Sequence, residues 1–252
     1  MAGVTILSNG GGTQSTALLV LIVQGKLPRP DYVVIADTGR EKTETWEYVN
    51  GVHRPACEAL GVPLVIVPHS YATVDLYDKD GFTLMPVYTN KNGGVSKTAA
   101  FCSNEWKVRP ARRWLREQGV KQGEQWLGIS IDEADRMRTS DVKWLSLRFP
   151  LIDLGISRDG CYSLVREMGW PDPPKSSCYM CPHMGDAQWR HLRAAHPQDF
   201  AAAVQVEREV RARDPHAFLH RSAQPLDQVA WDEQPSLFDE DTVTCAASGC
   251  WV

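Results

Sequence analysis

Three short runs of aliphatic and β-branched residues stand early in the chain: VTIL (Val4 to Leu7), DYVVIAD (Asp31 to Asp37) and PLVIV (Pro63 to Val67). Helix-length segments separate them, a pattern that predicts βαβαβ with a parallel sheet. A fourth run, EQWLGISI (Glu124 to Ile131), follows SNEWKVRPARRWLREQG and extends that sheet. Further helices are expected at Arg158 to Met168, Asp186 to Ala195 and Gln198 to Arg213. From Tyr71 to Phe101 no convincing period appears, and the Gly, Asn and Lys content reads as a long loop or lid. Beyond Phe218 the chain turns proline-rich and acidic and reads as a mobile or wrapped tail. There is no internal repeat. The expected organisation is an α/β core over 1–150, a helical cysteine-containing region over 151–220 and a tail over 221–252.

Composition adds limits. A chain of 252 residues can bury a sizeable core, and a formal net charge of −4 argues against a dedicated nucleic-acid binder while leaving room for local basic faces. The start of the sequence carries no basic n-region, and the longest apolar run, Ala17 to Val23, is too short to span a bilayer. A cytoplasmic protein with no membrane contact is therefore expected. Seven cysteines in such a chain point to metal ligation or redox chemistry before structural disulfides.

The candidate chemistry gathers at strand ends. SNGGGTQSTALLVL (Ser8 to Leu21) puts Gly10, Gly11 and Gly12 with Thr13, Gln14, Ser15 and Thr16 between the first strand and the first helix. Glycines permit a sharp turn and close approach to the main chain, and the helix's first amides favour an anion, so the stretch reads as a phosphate loop. Neither GK[ST] nor GxGxxG is present, and an ordinary strand-to-helix turn is the competing reading. IADTGREKTETWEYV ends its strand in Asp37, Thr38 and Gly39, suited to ribose hydroxyls or an adenine amine, or else to capping the next helix.

GISIDEADRMRTSDVK brings Gly128, Asp132, Glu133, Asp135, Arg136 and Arg138 past another strand end, where arginines can clamp phosphate or sulfate and carboxylates can hold magnesium. A solvated helical charge pattern is the alternative. Since ligands of open α/β sheets sit beyond the strands' carboxyl ends, Ser8 to Ser15, Asp37 to Gly39 and Ser130 to Arg138 share one rim. Arg109, Arg112, Arg113 and Arg116 form one basic helical face, either solvated or able to meet a nucleic-acid backbone or ribonucleoprotein.

KSSCYMCPH contains Cys178-x-x-Cys181, a spacing that lets two thiolates grip one metal or cluster. Cys102 and Cys161 are the candidate partners, with His183 a substitute. Four thiolates suit zinc or a [4Fe–4S] cluster. Cys57 lies in an apolar helical stretch and reads as core. Cys245 and Cys250, in the tail, are either a nucleophile or redox pair or inert thiols.

Taken in order, these motifs resemble the phosphoadenosine phosphosulfate (PAPS) reductase-like family, within the adenine nucleotide α-hydrolase, or PP-loop ATP pyrophosphatase, superfamily. GGGTQST is similar to its SGGxDS loop, DTGREKTETWEY to its DTG segment and GISIDEADRMR to its arginine-containing loop. CSNEWKVRPARRWL resembles the CCxxRKVxPL segment of adenylylsulfate reductases, and FPLIDLGISRDGCYSLV with PPKSSCYMCPH resembles their PLxDW and CxxC segments. The overall pattern is most similar to small members carried by phages, plasmids and other mobile elements, some of them CRISPR-associated.

The resemblance implies a Rossmann-like parallel sheet of the adenine nucleotide α-hydrolase type with a small cysteine-rich helical C-terminal region. It implies ATP or PAPS bound with Mg2+ by Ser8, Gly10 to Thr16, Asp37 to Gly39 and Gly128, with Ser15, Arg136 and Arg138 catalytic. It further implies a [4Fe–4S] cluster, zinc being the alternative, on Cys102, Cys178 and Cys181, and Cys161 is the expected fourth ligand. The chain departs from the pattern at four places: Phe101 replaces one member of the CC pair, Gly10 replaces the first loop serine, Gln14 replaces the loop aspartate, and TCAASGCWV replaces the reductases' terminal ECG[LI]H. The leading expectation is cleavage of ATP between its α- and β-phosphates, releasing pyrophosphate and either AMP or an adenylylated acceptor. A reductase using Cys245 or Cys250, a non-catalytic nucleotide- or RNA-binding accessory, and sulfur transfer to a nucleic-acid base after adenylation remain the alternatives.

Overall fold

The computed structural model describes residues 3–231, so Cys245 and Cys250 lie outside the described residues. Along the chain run β1 (Val4–Ser8), α1 (Thr13–Val23), β2 (Tyr32–Ala36), α2 (Thr43–Tyr48), α3 (Arg54–Leu60), β3 (Leu64–Val67), β4 (Tyr88–Thr89) and β5 (Ser96–Lys97). There follow α4 (Arg109–Glu117), β6 (Gly123–Trp126), β7 (Leu145–Arg148), α5 (Pro150–Asp153), α6 (Arg158–Glu167), α7 (Asp186–Ala195), α8 (Pro197–Arg213) and β8 (Ala217–Phe218). The chain forms two compact units: residues 3–71 with 106–176, and 72–105 with 177–231.

The first unit is an α/β layer structure on a five-stranded sheet in the order β3-β2-β1-β6-β7, with every neighbouring pair parallel. The central strand β1 therefore has β2 on one side and β6 on the other, which is a topological switch point. Alternation along the strands serves two faces. Leu7, Val33 and Trp126 join α1, α3 and α6 in one core, while Ile6, Val34 and Leu145 join α4 in the other. Helix α1 is buried from Thr13 to Ile22; from Ala17 on it is apolar around its circumference, as an enclosed helix must be, and its first turn is polar.

Two π-helical turns, Val49–His53 and Asn104–Val108, run directly into α3 and α4. Each precedes a proline at the start of the next helix, Pro55 and Pro110. Proline has no N–H to donate to the preceding turn, and the backbone there widens.

The second unit pairs β5-β4-β8 as a small antiparallel sheet. Trp189 on α7, Phe200 on α8 and Trp231 form its aromatic core, with ring centroids 6.1 to 6.5 Å apart. Buried Glu207 of α8 accepts the backbone N–H groups of Leu219 and Leu226, fixing the chain after β8.

The sheet and the helices after residue 150 match the expectation from hydrophobic pattern, with three corrections. The strand expected over 124–131 ends at Trp126, and Ile131–Arg136 is a 3-10 helix. Strand β7 was not foreseen. The expected domain boundaries also move. Residues 72–105 belong to the second unit, residues 151–176 belong to the first because α6 lays Cys161 and Leu164 into the α1 core, and residues 221–231 are built into the second unit through buried Leu226 and Trp231. Among the described residues no helix is long and apolar enough to cross a membrane.

Candidate functional site

A cleft opens at the carboxyl ends of β1 and β2. Its wall combines the start of the glycine loop (Ser8 to Gly11), the end of β2 (Val34 to Ala36), and Gln125 of β6. Glu41, Thr45, Trp46 and Val49 close one side, and Lys107, Val108 and Ala111 the other. Both π turns thus contribute to it, through Val49 and through Lys107 and Val108.

The loop is held by its own side chains. Asn9 Oδ1 accepts the Gly11 N–H at 2.8 Å, which makes an Asx turn, and Gly11 adopts φ +73°. A methyl group at Gly11 would also lie 2.6 Å from Thr45 Cγ2, and one at Gly12 would lie 2.7 Å from Ser176 Oγ. Gly11 is therefore demanded by packing as well as by backbone conformation, and Gly12 by packing alone. A methyl at Gly128 would come within 3.0 Å of the Ser15 nitrogen, so this glycine lets the chain after β6 approach the first turn of α1.

Several residues expected to touch a nucleotide are engaged within the protein instead. Ser15 is fully buried, and its hydroxyl donates to the Gly12 carbonyl at 3.0 Å. Thr16 Oγ1 donates to the same carbonyl at 2.8 Å. Gln14 is buried and its Nε2 donates to Glu133 Oε2 at 3.1 Å. Glu133, 4% exposed, also meets Arg136 Nη1 at 2.9 Å and Arg158 Nη2 at 3.0 Å. A carboxylate taken out of water needs such partners, and this one takes three. Arg136 is thereby committed to Glu133, and neither it nor Arg138 is among the residues lining the cleft. Burial and the neighbouring Arg136 charge push the Arg138 guanidinium below its ordinary value.

At the tip of β2, Asp37 Oδ1 accepts the Gly39 N–H at 2.7 Å, and Thr38 is fully buried with its hydroxyl accepting from Arg40 N–H. The basic face on α4 is similarly occupied. Arg112 makes a bidentate pair with Asp141, Arg113 pairs with Glu117, and Arg116 lies over the Trp144 ring while donating to the Val120 carbonyl. The Arg112 pairing holds the Asp141 carboxyl below the usual carboxylate range.

The residues that sequence reasoning missed are Gln125, Thr45, Trp46, Glu41 and Lys107. Gln125 was legible in principle: it is a polar residue inside a central strand, 8% exposed, with its Nε2 donating to Ser8 Oγ. Its Oε1 and the Thr45 Oγ1 are buried without a hydrogen-bond partner. Leaving a buried polar atom unpaired costs about 1–3 kcal/mol, and both residues belong to the cleft wall.

The cysteines divide between the units. Cys102, Cys178 and Cys181 belong to the second unit and are partly exposed. The Cys181 N–H donates to the Cys178 carbonyl at 3.1 Å, closing the tight turn that a CxxC grip requires. His183, two residues on, is buried, and Lys97 Nζ lies 3.0 Å from its Nδ1. Burial first, then the Lys97 charge, lowers His183 to about 4, leaving the imidazole neutral. Cys161 belongs to the first unit, fully buried among the α1 core side chains, and burial pushes its thiol up to about 12. Those are the surroundings of a core cysteine and do not favour the thiolate that a metal needs. Cys178 and Cys181 share one tight turn, Cys102 belongs to the same unit, and His183 is the nearest further ligand type in sequence. Cys57 is core, as expected, its thiol raised by burial to about 11.

The fold is an α/β protein with a cleft at the switch point of a parallel sheet. Among solved structures the chain is similar to a phosphoadenylyl-sulfate (PAPS) reductase from Candida auris in a phosphate complex, at 16% identity over 69% of this chain and 76% of that one, TM-score 0.45. It is also similar to the U34-tRNA thiolase NcsA from Methanococcus maripaludis with its [4Fe-4S] cluster, at 14% identity over 90% of this chain and 73% of that one, TM-score 0.47. No model of a known protein family and no curated protein matches the chain.

The Gln14–Glu133 contact makes the departure from aspartate at position 14 a matter of charge. Gln14→Glu should lower stability by about 1–3 kcal/mol at neutral pH, because a second carboxylate then faces Glu133. Urea unfolding at pH 7 and again at acid pH, where the pair can share a proton, checks this. An unchanged midpoint at pH 7 would contradict the pairing.

Proposed function

We propose that the cleft of the first unit binds an adenine nucleotide and that the protein is an adenine nucleotide α-hydrolase. The observation that carries this reading is the juxtaposition of an Asn9-held glycine loop with Thr45 and Gln125, each carrying a buried, unpaired side-chain oxygen, on the wall of one cleft at the sheet's switch point. Amides of the loop and of the first turn of α1 favour phosphate oxygens, since the helix dipole is positive there. Lys107 on the cleft wall supplies a cation for the same oxygens, and the Trp46 ring with Val34 and Val49 offers an apolar seat for a heterocycle.

In the reaction, an oxygen nucleophile, water or an acceptor, forms a bond to the α-phosphorus as the bond from that phosphorus to the α,β-bridging oxygen breaks. Pyrophosphate leaves with the electron pair, and the product is AMP or an adenylylated acceptor. Preorganised donors aimed at the departing oxygens lower the barrier by meeting charge as it develops. Magnesium, when bound with the nucleotide, neutralises phosphate charge, and Glu41 is the carboxylate of the cleft wall that would hold it. Asp37 and Thr38 would order the loop bordering the nucleoside through the turns they cap, and Arg136 and Arg138 would act on the phosphates through the rim they stabilise.

Cys102, Cys178 and Cys181 would hold a metal centre in the second unit, an iron–sulfur cluster being favoured over zinc by the reductase-like context of these cysteines. Such a centre supplies either redox chemistry or a site for sulfur.

Anaerobically purified protein incubated with magnesium and ATP should yield AMP and pyrophosphate, with the rate falling by about tenfold or more in Lys107→Ala. Sulfite from PAPS with ATP untouched would replace this reading with that of a reductase, and nucleotide binding with no product would replace it with that of an accessory protein. Metal analysis is the second test. Cys178→Ala should lose the bound iron or zinc while Cys161→Ala keeps it, and loss of metal from Cys161→Ala would restore Cys161 as the fourth ligand.

A further inference from the structure

His53 ends the first π turn and is fully buried, 0% exposed. It does not line the cleft, yet it sits between the two ends of the glycine loop. Asn9 Nδ2 is 2.9 Å from its Nδ1, and Thr16 Oγ1 is 2.9 Å from its Nε2. Asn9 in turn accepts the Gly11 N–H, and Thr16 donates to the Gly12 carbonyl.

One proton arrangement satisfies all four contacts. A backbone N–H only donates, so the Asn9 oxygen faces Gly11 and its NH2 group faces His53. The imidazole Nδ1 must then accept, which leaves the ring proton on Nε2, where it donates to Thr16. A carbonyl only accepts, so the Thr16 hydroxyl proton goes to Gly12. The chain of bonds leaves the loop at Gly11 and returns to it at Gly12, and the imidazole is its middle link.

We infer that His53, as the neutral Nε2–H tautomer, is a positioning residue that fixes the glycine loop and so aims the amides that meet the nucleotide's phosphates. The π turn is what delivers it, since the widened backbone before Pro55 sets the direction of its last residue. The ligand's identity rests on the function proposed above, but the loop geometry does not.

The side chains facing the ring carry no charge: Asn9 from the end of β1, Thr16 from α1, and Tyr48 from α2, whose ring stands edge-on at 5.3 Å. Burial raises the Tyr48 phenol to about 12, so it stays neutral, and burial lowers His53 from its ordinary 6.5 to about 4. Protonation would turn Nδ1 into a second donor against the Asn9 NH2. The folded state therefore binds fewer protons than the unfolded chain between about 6.5 and 4. The stability His53 contributes is whole above 6.5 and is lost as pH falls through about 4.

The test compares His53→Leu, which removes both polar atoms, with His53→Gln, whose amide keeps one acceptor and one donor. Hydrogen exchange at the Gly11 amide, measured on the full chain without nucleotide, should accelerate about tenfold in His53→Leu and return to within a few fold of wild type in His53→Gln. ATP affinity should follow the same order. The part of the acid loss of stability between about 6.5 and 4 that belongs to His53 should vanish in His53→Gln. Should His53→Leu fail to fold, Thr16→Val removes the next link and should accelerate the same exchange.

Wild-type exchange in a folded His53→Leu or Thr16→Val, or a folded His53→Gln as defective as His53→Leu, would overturn the inference. Altered exchange with no nucleotide bound by any variant would support the positioning role and overturn the nucleotide reading alone.

Discussion

The first turn of α1 must be both polar and buried, and the rest of the first unit is arranged around that requirement. A helix enclosed on all sides has four leading N–H groups with no helical partner, and here Thr13, Gln14, Ser15 and Thr16 add polar side chains in the same turn. Each described partner comes from a different part of the fold. Gly12 accepts from the two hydroxyls, Glu133 accepts from Gln14, and His53 donates to Thr16's oxygen. The side chains of Gln14, Ser15 and Thr16 are satisfied inward, so under the proposed function the amides are what meets the phosphates. This division of labour differs from a loop in which serine and threonine hydroxyls themselves grip phosphate.

Strand order follows from hydrophobic runs because a parallel sheet covered on both faces needs near-continuous apolar strands, and VTIL, YVVIA and LVIV supply them. Helices α6, α7 and α8 are similarly plain in sequence. Strand β7, LSLR, is short, carries an arginine and follows a polar loop, so it has little apolar signal to read. The second unit was hidden for another reason. Its strands β4, β5 and β8 are two residues each and its halves are far apart in sequence, so only tertiary contact unites them.

The candidate site was legible as a location and less so as a set of residues. Ser8, Gly10 and Gly11 line the cleft, whereas the side chains of Ser15, Gln14 and Arg136 are engaged with Gly12 and Glu133. Sequence spacing identifies which residues are near a strand end but not which way a side chain turns. The π turns compound this, because they bring Val49, His53 and Lys107 to directions that a regular helical period does not give. Cys161 shows the same limit from the other side: its place in the order of cysteines suggests a ligand, and the structure buries it in the α1 core.

The central claim is that the glycine loop and the cleft beside it receive a nucleotide. It is tested most directly by following the backbone amide resonances of residues 10–16, with the Gln125 side-chain amide, as AMP and pyrophosphate are titrated in with magnesium. The account expects saturable shifts at Gly11, Gly12 and Thr13 and at Gln125, with the Cys57 amide of the core unmoved. Saturable binding that leaves those resonances in place, or no binding at all, would contradict it.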